Sequence, residues 1–149
     1  MNPNVLMVDD NPGDLQLIEE AFKDSGIPVV FHAAGDASSA FEHLTRAEIA
    51  ARPLPDVIIL DLNLPGMHGL EVITALRANL AWKHIPIVVF SGEDTADAHG
   101  LGADEVVVKP ASYGRYLALA QRLRRYWPSD SGSGRTVRRA ARAAARSLA

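Results

Sequence analysis

The chain has 149 residues, 48% of them hydrophobic and 22% charged, which suits one compact globular domain with a sizeable core and leaves no room for two. It has no cysteine, which excludes disulfides and thiolate metal sites. The net charge of −3 is unevenly spread: residues 135–149 carry five arginines and no acid, which leaves 10 basic and 18 acidic side chains, a net of −8, in the 134 residues before them.

Met1-Asn2-Pro3-Asn4 lacks the basic and apolar regions of a signal peptide, and no apolar run approaches the roughly 18 residues of a membrane span, so a cytoplasmic location is expected. The first strand is Val5-Leu6-Met7-Val8. A helix follows, with Asn11 as N-cap, Pro12 at its first position, Asp14 near its positive end, and Leu15, Ile18, Ala21 and Phe22 on one face. Further strands are expected at Val29–Phe31, Val57–Leu60, Ile87–Phe90 and Val106–Val108. These β-branched runs do not alternate with polar residues and read as buried on both faces. Helices are expected at Ala37–Arg46, Gly69–Leu80 and Ser112–Tyr126, with a short, glycine-containing one between Glu93 and Gly102. Strands alternating with helices imply a parallel sheet covered on both sides, with ligands bound beyond the carboxyl ends of the strands. The ordered domain is placed at residues 1–127. Residues 128–149 read as a Pro/Ser/Gly linker and a basic Ala/Arg-rich tail, whose plainest reading is a solvated extension.

The strand ends carry the chemistry. The first ends in Asp9-Asp10, the third in Asp61, the fourth in Ser91-Gly92 and the fifth in Lys109-Pro110. Taken singly, each has a plain explanation: an aspartate or serine caps a turn or helix, and a lysine is a surface charge. Taken together on one edge, three carboxylates, a hydroxyl and one ammonium share a pocket. Such a pocket either protonates a carboxylate or takes a hard cation, and Mg²⁺ suits oxygen ligands best. A carboxylate there can also attack phosphorus to give an aspartyl phosphate, with Lys109 and Ser91 placed to stabilise the transferring group. Asn63 and Glu93, each two residues past a strand-end group, flank the path of an attacking water, so a short-lived phosphoryl group is expected.

At these residues the sequence resembles the receiver domains of two-component response regulators, over about residues 4–127. The matching segments are Val8-Asp9-Asp10-Asn11, Asp61-Leu62-Asn63-Leu64-Pro65-Gly66-Met67-His68-Gly69, Ser91-Gly92 and Val108-Lys109-Pro110. The resemblance implies a flavodoxin-like (βα)5 fold, a doubly wound five-stranded parallel sheet in the order 2-1-3-4-5. It implies phosphorylation of Asp61 by a histidine kinase and an Mg²⁺ site from Asp9 or Asp10, Asp61 and the backbone carbonyl of Asn63. It also implies phosphoryl contacts from Ser91 and Lys109, and a cis bond before Pro110. The opening Asp9-Asp10-Asn11-Pro12-Gly13-Asp14, the proline-bearing stretch Arg46–Pro55 and the text around Leu62–Val72 resemble the small regulators of phytochrome-type kinases. A phytochrome-like kinase is therefore a candidate partner.

Two departures fall on the face through which many receivers signal. Val106 stands where the family usually has an aromatic residue, and only 17 residues separate Ser91 from Lys109, so the fourth helix must be short. The expected role is a signalling switch rather than a metabolic enzyme, with a constitutive binding module as the alternative. The acidic body argues against nucleic acid as the main target. Tyr116, Leu119, Leu123 and Tyr126 recur at three- and four-residue steps in the last helix, and the sequence reading makes them the seam of a symmetric homodimer. In that reading Tyr113, Tyr116, Leu117, Ala120 and Leu123 cover the sheet.

Overall fold

The computed structural model describes residues 2–92 and 97–128. Along the chain these form β1 (Asn4–Val8), α1 (Pro12–Asp24), β2 (Val30–Ala34), α2 (Ala37–Ile49), β3 (Val57–Leu60), α3 (Gly69–Ala78), β4 (Ile87–Ser91), α4 (Asp97–Gly100), β5 (Glu105–Val108) and α5 (Tyr113–Leu123), with a 3₁₀ turn at Arg124–Tyr126. All pairings are parallel and the sheet order is β2-β1-β3-β4-β5. This is the expected flavodoxin-like arrangement. Glu93 and the tail from residue 129 onward, both singled out in the sequence, lie outside the described residues.

The pleat divides the core in two. Leu6, Val8, Ile58, Leu60, Ile87 and Val89 face one side, where Leu44 of α2 and Val72, Ile73 and Leu76 of α3 pack on them. Val5, Met7, Val57, Ile59, Val88 and Phe90 face the other, against Ile18, Ala21 and Phe22 of α1 and the inner face of α5. Burial on both faces holds for β1, β3 and β4 but not for the edge strands. Val30 of β2 is 41% exposed and Val108 of β5 is 52% exposed. An edge strand has a neighbour on one side only, and the covering helices do not reach across its outer margin.

Local signals account for most boundaries. The Asn11 side chain accepts hydrogen bonds from the amides of Gly13 and Asp14, at 2.9 and 3.2 Å, which caps α1. Asp36 does the same for α2 through the amide of Ser39, at 2.7 Å. That helix runs three residues past Arg46, into the proline-bearing stretch. It closes on Ala51, whose φ of 54° lets the amides of Ala51 and Arg52 reach back to Glu48 and Ala47. The fourth helix is short, as the spacing requires. The turn after it is tied to α3 by Arg77, whose guanidinium donates to the carbonyls of Gly102, Lys83 and Ile85 and to the carboxylate of Asp104.

The last helix corrects the sequence reading. Tyr116, Leu119, Leu123 and Tyr126 are between 1% and 7% exposed and belong to the core beneath α5. The Tyr126 hydroxyl donates to Glu105 at 2.5 Å inside that core. These four residues are therefore not a free seam for a second copy. Tyr113 and Leu117, expected to lie on the sheet, are only partly buried flanking groups. The buried arc is Tyr116, Leu119, Ala120 and Leu123, one ordinary amphipathic stripe. Leu119→Ala is expected to lower stability by about 2–5 kcal/mol, read as a fall in the urea midpoint with unchanged sedimentation. A variant of undiminished stability would return the stripe to the surface.

Candidate phosphoacceptor site

Strand register assembles the site. Val8 pairs with Leu60 across β1 and β3, so Asp9 and Asp61, the next residues, leave the sheet side by side. The Asp61 amide still donates to the Val8 carbonyl, at 2.9 Å, which extends the ladder to Asp61 itself. Ser91 pairs with Val108, and the Lys109 amide donates to the Ser91 carbonyl at 2.7 Å. Four of the residues singled out in the sequence are thus held by the sheet rather than by mobile loops.

Asp9 and Asp61 are fixed in the same way. Each Oδ1 accepts from the amide two residues on, that of Asn11 at 2.9 Å and that of Asn63 at 3.1 Å. Each Oδ2 is thereby aimed at Lys109, whose Nζ lies 3.1 Å from Asp9 and 3.4 Å from Asp61. Asp9 is fully buried and Asp61 nearly so, whereas Asp10 and Asn63 are exposed at the rim. The carboxylates of Asp9, Asp10 and Asp61 come within 4.8 Å of one another. Burial pushes the Asp9 carboxyl above its ordinary range, against the opposing pull of the Asn11 amide and Lys109. Burial draws the Lys109 ammonium down, but Asp14, Asp9 and Asp61 outweigh it and hold the ammonium above its ordinary value. Lys109 is therefore charged throughout the neutral range.

The arrangement has room in charge for a hard cation. Asp9 Oδ2 is buried and carries no hydrogen bond, since its contact with Lys109 is an ion pair only. Three converging carboxylates and one ammonium remain net anionic, which fits a divalent ion with oxygen ligands.

Three features escaped the sequence reading. Asp14, read there only as a helix-end charge, makes the shortest contact with Lys109, at 2.6 Å. Phe90 lies beneath the ammonium, 5.6 Å from Nζ to the ring centre, and is itself braced edge-on by Tyr116. Gly69 lets α3 begin directly against the loop that follows Asp61. A Cβ there would sit 2.5 Å from Leu62 Cα and 2.9 Å from the Asp61 carbonyl oxygen. Proximity of Asp14 follows from the fold, since α1 starts at the same sheet edge where β5 ends. No spacing within one segment reveals it.

One expectation fails. No peptide bond among the described residues is cis, so Lys109–Pro110 is trans. The two forms of an X–Pro bond differ by only about 0.5–1 kcal/mol, too little for the local sequence to decide. Gly92 is exposed beside Ser91, at the mouth of the site.

A family model of the response regulator receiver domain matches residues 5–121. The chain belongs to that family. Among curated relatives, the probable methanogenesis regulatory protein FilR2 of Methanothrix harundinacea is 28% identical over 127 residues, covering 83% of this chain and 82% of its own. The transcriptional regulatory protein PrrA of Mycobacterium leprae is 33% identical over 91% of this chain, which spans 56% of that regulator. Among solved structures, the phosphorylated cyanobacterial phytochrome response regulator RcpA is 29% identical with a TM-score of 0.75, covering 88% of this chain and 97% of its own. The bacteriophytochrome response regulator AtBRR is 28% identical with a TM-score of 0.70, covering 85% and 96%. The Mn²⁺-bound form of the response regulator Rcp1 is 27% identical with a TM-score of 0.72, covering 87% and 96%. No helix among the described residues is long and apolar enough to cross a membrane.

In this receiver the β3–α3 loop is wedged between Asp61 and Gly69. Gly69→Ala is expected to destabilise the domain by about 1–3 kcal/mol and to disturb the Asp61–Asn63 turn. Thermal melting together with the amide chemical shifts of Leu62 and Asn63 checks both effects. An unshifted pair of amides would show that the loop is not held by this contact.

Proposed function

We propose that this receiver accepts a phosphoryl group on Asp61 and acts as a conformational signalling switch. The observation that carries the reading is the buried Asp61 Oδ2, aimed by the Asn63 amide at an ammonium that stays charged. In the proposed step a carboxylate oxygen of Asp61 attacks the phosphorus of a phosphohistidine. The P–N bond breaks, its electron pair stays on the imidazole, and an O–P bond forms. Lys109, and the Ser91 side chain at the end of β4, would bear charge that spreads over the phosphoryl oxygens. Asp9, Asp10, Asp61 and the backbone carbonyl of Asn63 would hold Mg²⁺, which supplies further neutralisation of that charge when bound. Asn63 and Gly92 would border the approach of the water that later hydrolyses the acyl phosphate, and Glu93, outside the described residues, is the further candidate that the sequence offers. The protein turns over no metabolite in this reading; the phosphotransfer and its loss are its own chemistry.

The proposed donor is a histidine kinase in the cytoplasm. A phytochrome-like kinase is favoured because RcpA and AtBRR, both phytochrome response regulators, match over nearly their whole length. Phosphorylation would shift a two-state equilibrium that a partner reads. Val106, partly buried against the core where the family usually has an aromatic residue, favours a second reading in which the fold binds a partner constitutively.

The test is incubation with acetyl phosphate and Mg²⁺ followed by intact mass. Wild type should gain one phosphoryl group, and Asp61→Asn, nearly isosteric but a poor nucleophile, should gain none while melting normally. Equal uptake by the variant would move the acceptor elsewhere; no uptake by wild type would favour the constitutive module. Asp10→Ala should weaken Mg²⁺ binding in calorimetry, since it removes one of three converging charges. Equal affinity in the two proteins would take Asp10 out of the metal site.

A further inference from the structure

The ammonium of Lys109 makes its closest approach to a carboxylate that the phosphoacceptor chemistry does not require. Asp14 Oδ2 lies 2.6 Å from Nζ, against 3.1 Å for Asp9 and 3.4 Å for Asp61. Asp14 is not among the three carboxylates that converge as a candidate cation site. Its backbone is pinned by the α1 cap, where its amide donates to Asn11 at 3.2 Å. Its side chain is 17% exposed and that of Lys109 is 21% exposed, so the pair is largely withdrawn from water. We propose that Asp14 is a positioning residue that acts through Lys109, drawing the ammonium toward the start of α1 and part of its charge away from Asp61. The proposal rests on the phosphoacceptor reading above.

The physical argument is one of shared charge. An ammonium has three donors, and three carboxylates surround this one. Two of them belong to the site where an anionic phosphoryl group is to arrive; the third only competes. A full negative charge at hydrogen-bond distance reduces the attraction that Lys109 offers to that group, both in the incoming donor and in the finished acyl phosphate. Asp14 therefore raises the donor concentration needed and shortens the life of the modified state. A role confined to stabilising the α1 dipole would change neither quantity.

Asp14→Asn separates these possibilities, because the amide keeps an acceptor oxygen and loses the charge. With acetyl phosphate as donor and Mg²⁺ present, the Asp61 O–P bond forms, the donor's P–O bond breaks and acetate leaves. The variant should reach half-maximal uptake at a donor concentration about three- to ten-fold lower, and keep its phosphoryl group longer by a similar factor. The advantage should persist in about 0.5 M salt, because a contact pair shielded from solvent is little screened. Unchanged half-saturation and lifetime would overturn the proposal, as would slower uptake or an advantage abolished by salt. Should the amide variant fail to fold, Asp14→Ser repeats the test with a residue that helix starts tolerate. If wild type takes up no phosphate, the phosphoacceptor reading itself fails; uptake by wild type with no effect at Asp14 fails this inference alone.

Discussion

One ammonium sets the terms for the carboxyl edge of this sheet. Lys109 lies within 3.4 Å of carboxylates from the β1 end, the β3 end and the first turn of α1. Without it, Asp9 and Asp61 would be two nearly dry negative charges fixed side by side by strand register, an arrangement that favours protonation of one of them. With it, the pull of the ammonium opposes the upward push of burial on the Asp9 carboxyl, and the cluster keeps an excess of carboxylates over ammonium. That excess favours a divalent cation among these oxygens and opposes the approach of an anion from solution.

The scaffold explains why such a cluster is affordable. Three central strands are buried on both faces by two separate apolar layers, so the position of each strand end is set by packing across the whole sheet. A strand slipped by one residue would exchange the two layers and carry Asp61 to the wrong face. The polar groups that cost stability thus sit where the fold has least freedom to relax around them. The same logic extends beneath the site: Phe90, from β4, supports Lys109 from the apolar side, and Tyr116 of α5 supports Phe90. Through Tyr116 and Phe90, α5 is thereby linked to the Lys109 ammonium.

Much of this was legible in the amino-acid sequence, for definite reasons. Unbroken β-branched runs mark doubly buried strands, and the residues just past them must lie on one edge, so Asp9, Asp61, Ser91 and Lys109 could be placed together without knowing any distance. What escaped depends on geometry between segments. Asp14 comes to Lys109 only because α1 begins where β5 ends. Gly69 matters because of a close approach to Leu62, seven residues away. The last helix was misread because two overlapping stripes share Tyr116 and Leu123, and spacing alone cannot say which faces inward; the structure buries Leu119 with Ala120 and leaves Tyr113 and Leu117 at the margin. The trans bond at Pro110 belongs to the same class, since tertiary context decides it.

These misreadings bear on how a signal would leave the domain. With Leu119 and Tyr126 in the core, α5 has no spare apolar seam, and its packing cannot change without disturbing the layer that also holds Phe90. β5 carries Glu105, Val106, Val107 and Val108 and no aromatic ring, and Val106 packs partly buried against the core. One link between Asp61 and more distant elements is the charge network around Lys109. Lys109 is ion-paired at once with carboxylates just past β1, just past β3 and in α1, and its main chain leads into α5 through Pro110. A phosphoryl group on Asp61 would redistribute those bonds, loosening the tie to the start of α1 as it tightens the one above β3. In the proposed function, the charge network around Lys109 would couple Asp61 to the α1 and α5 side of the sheet.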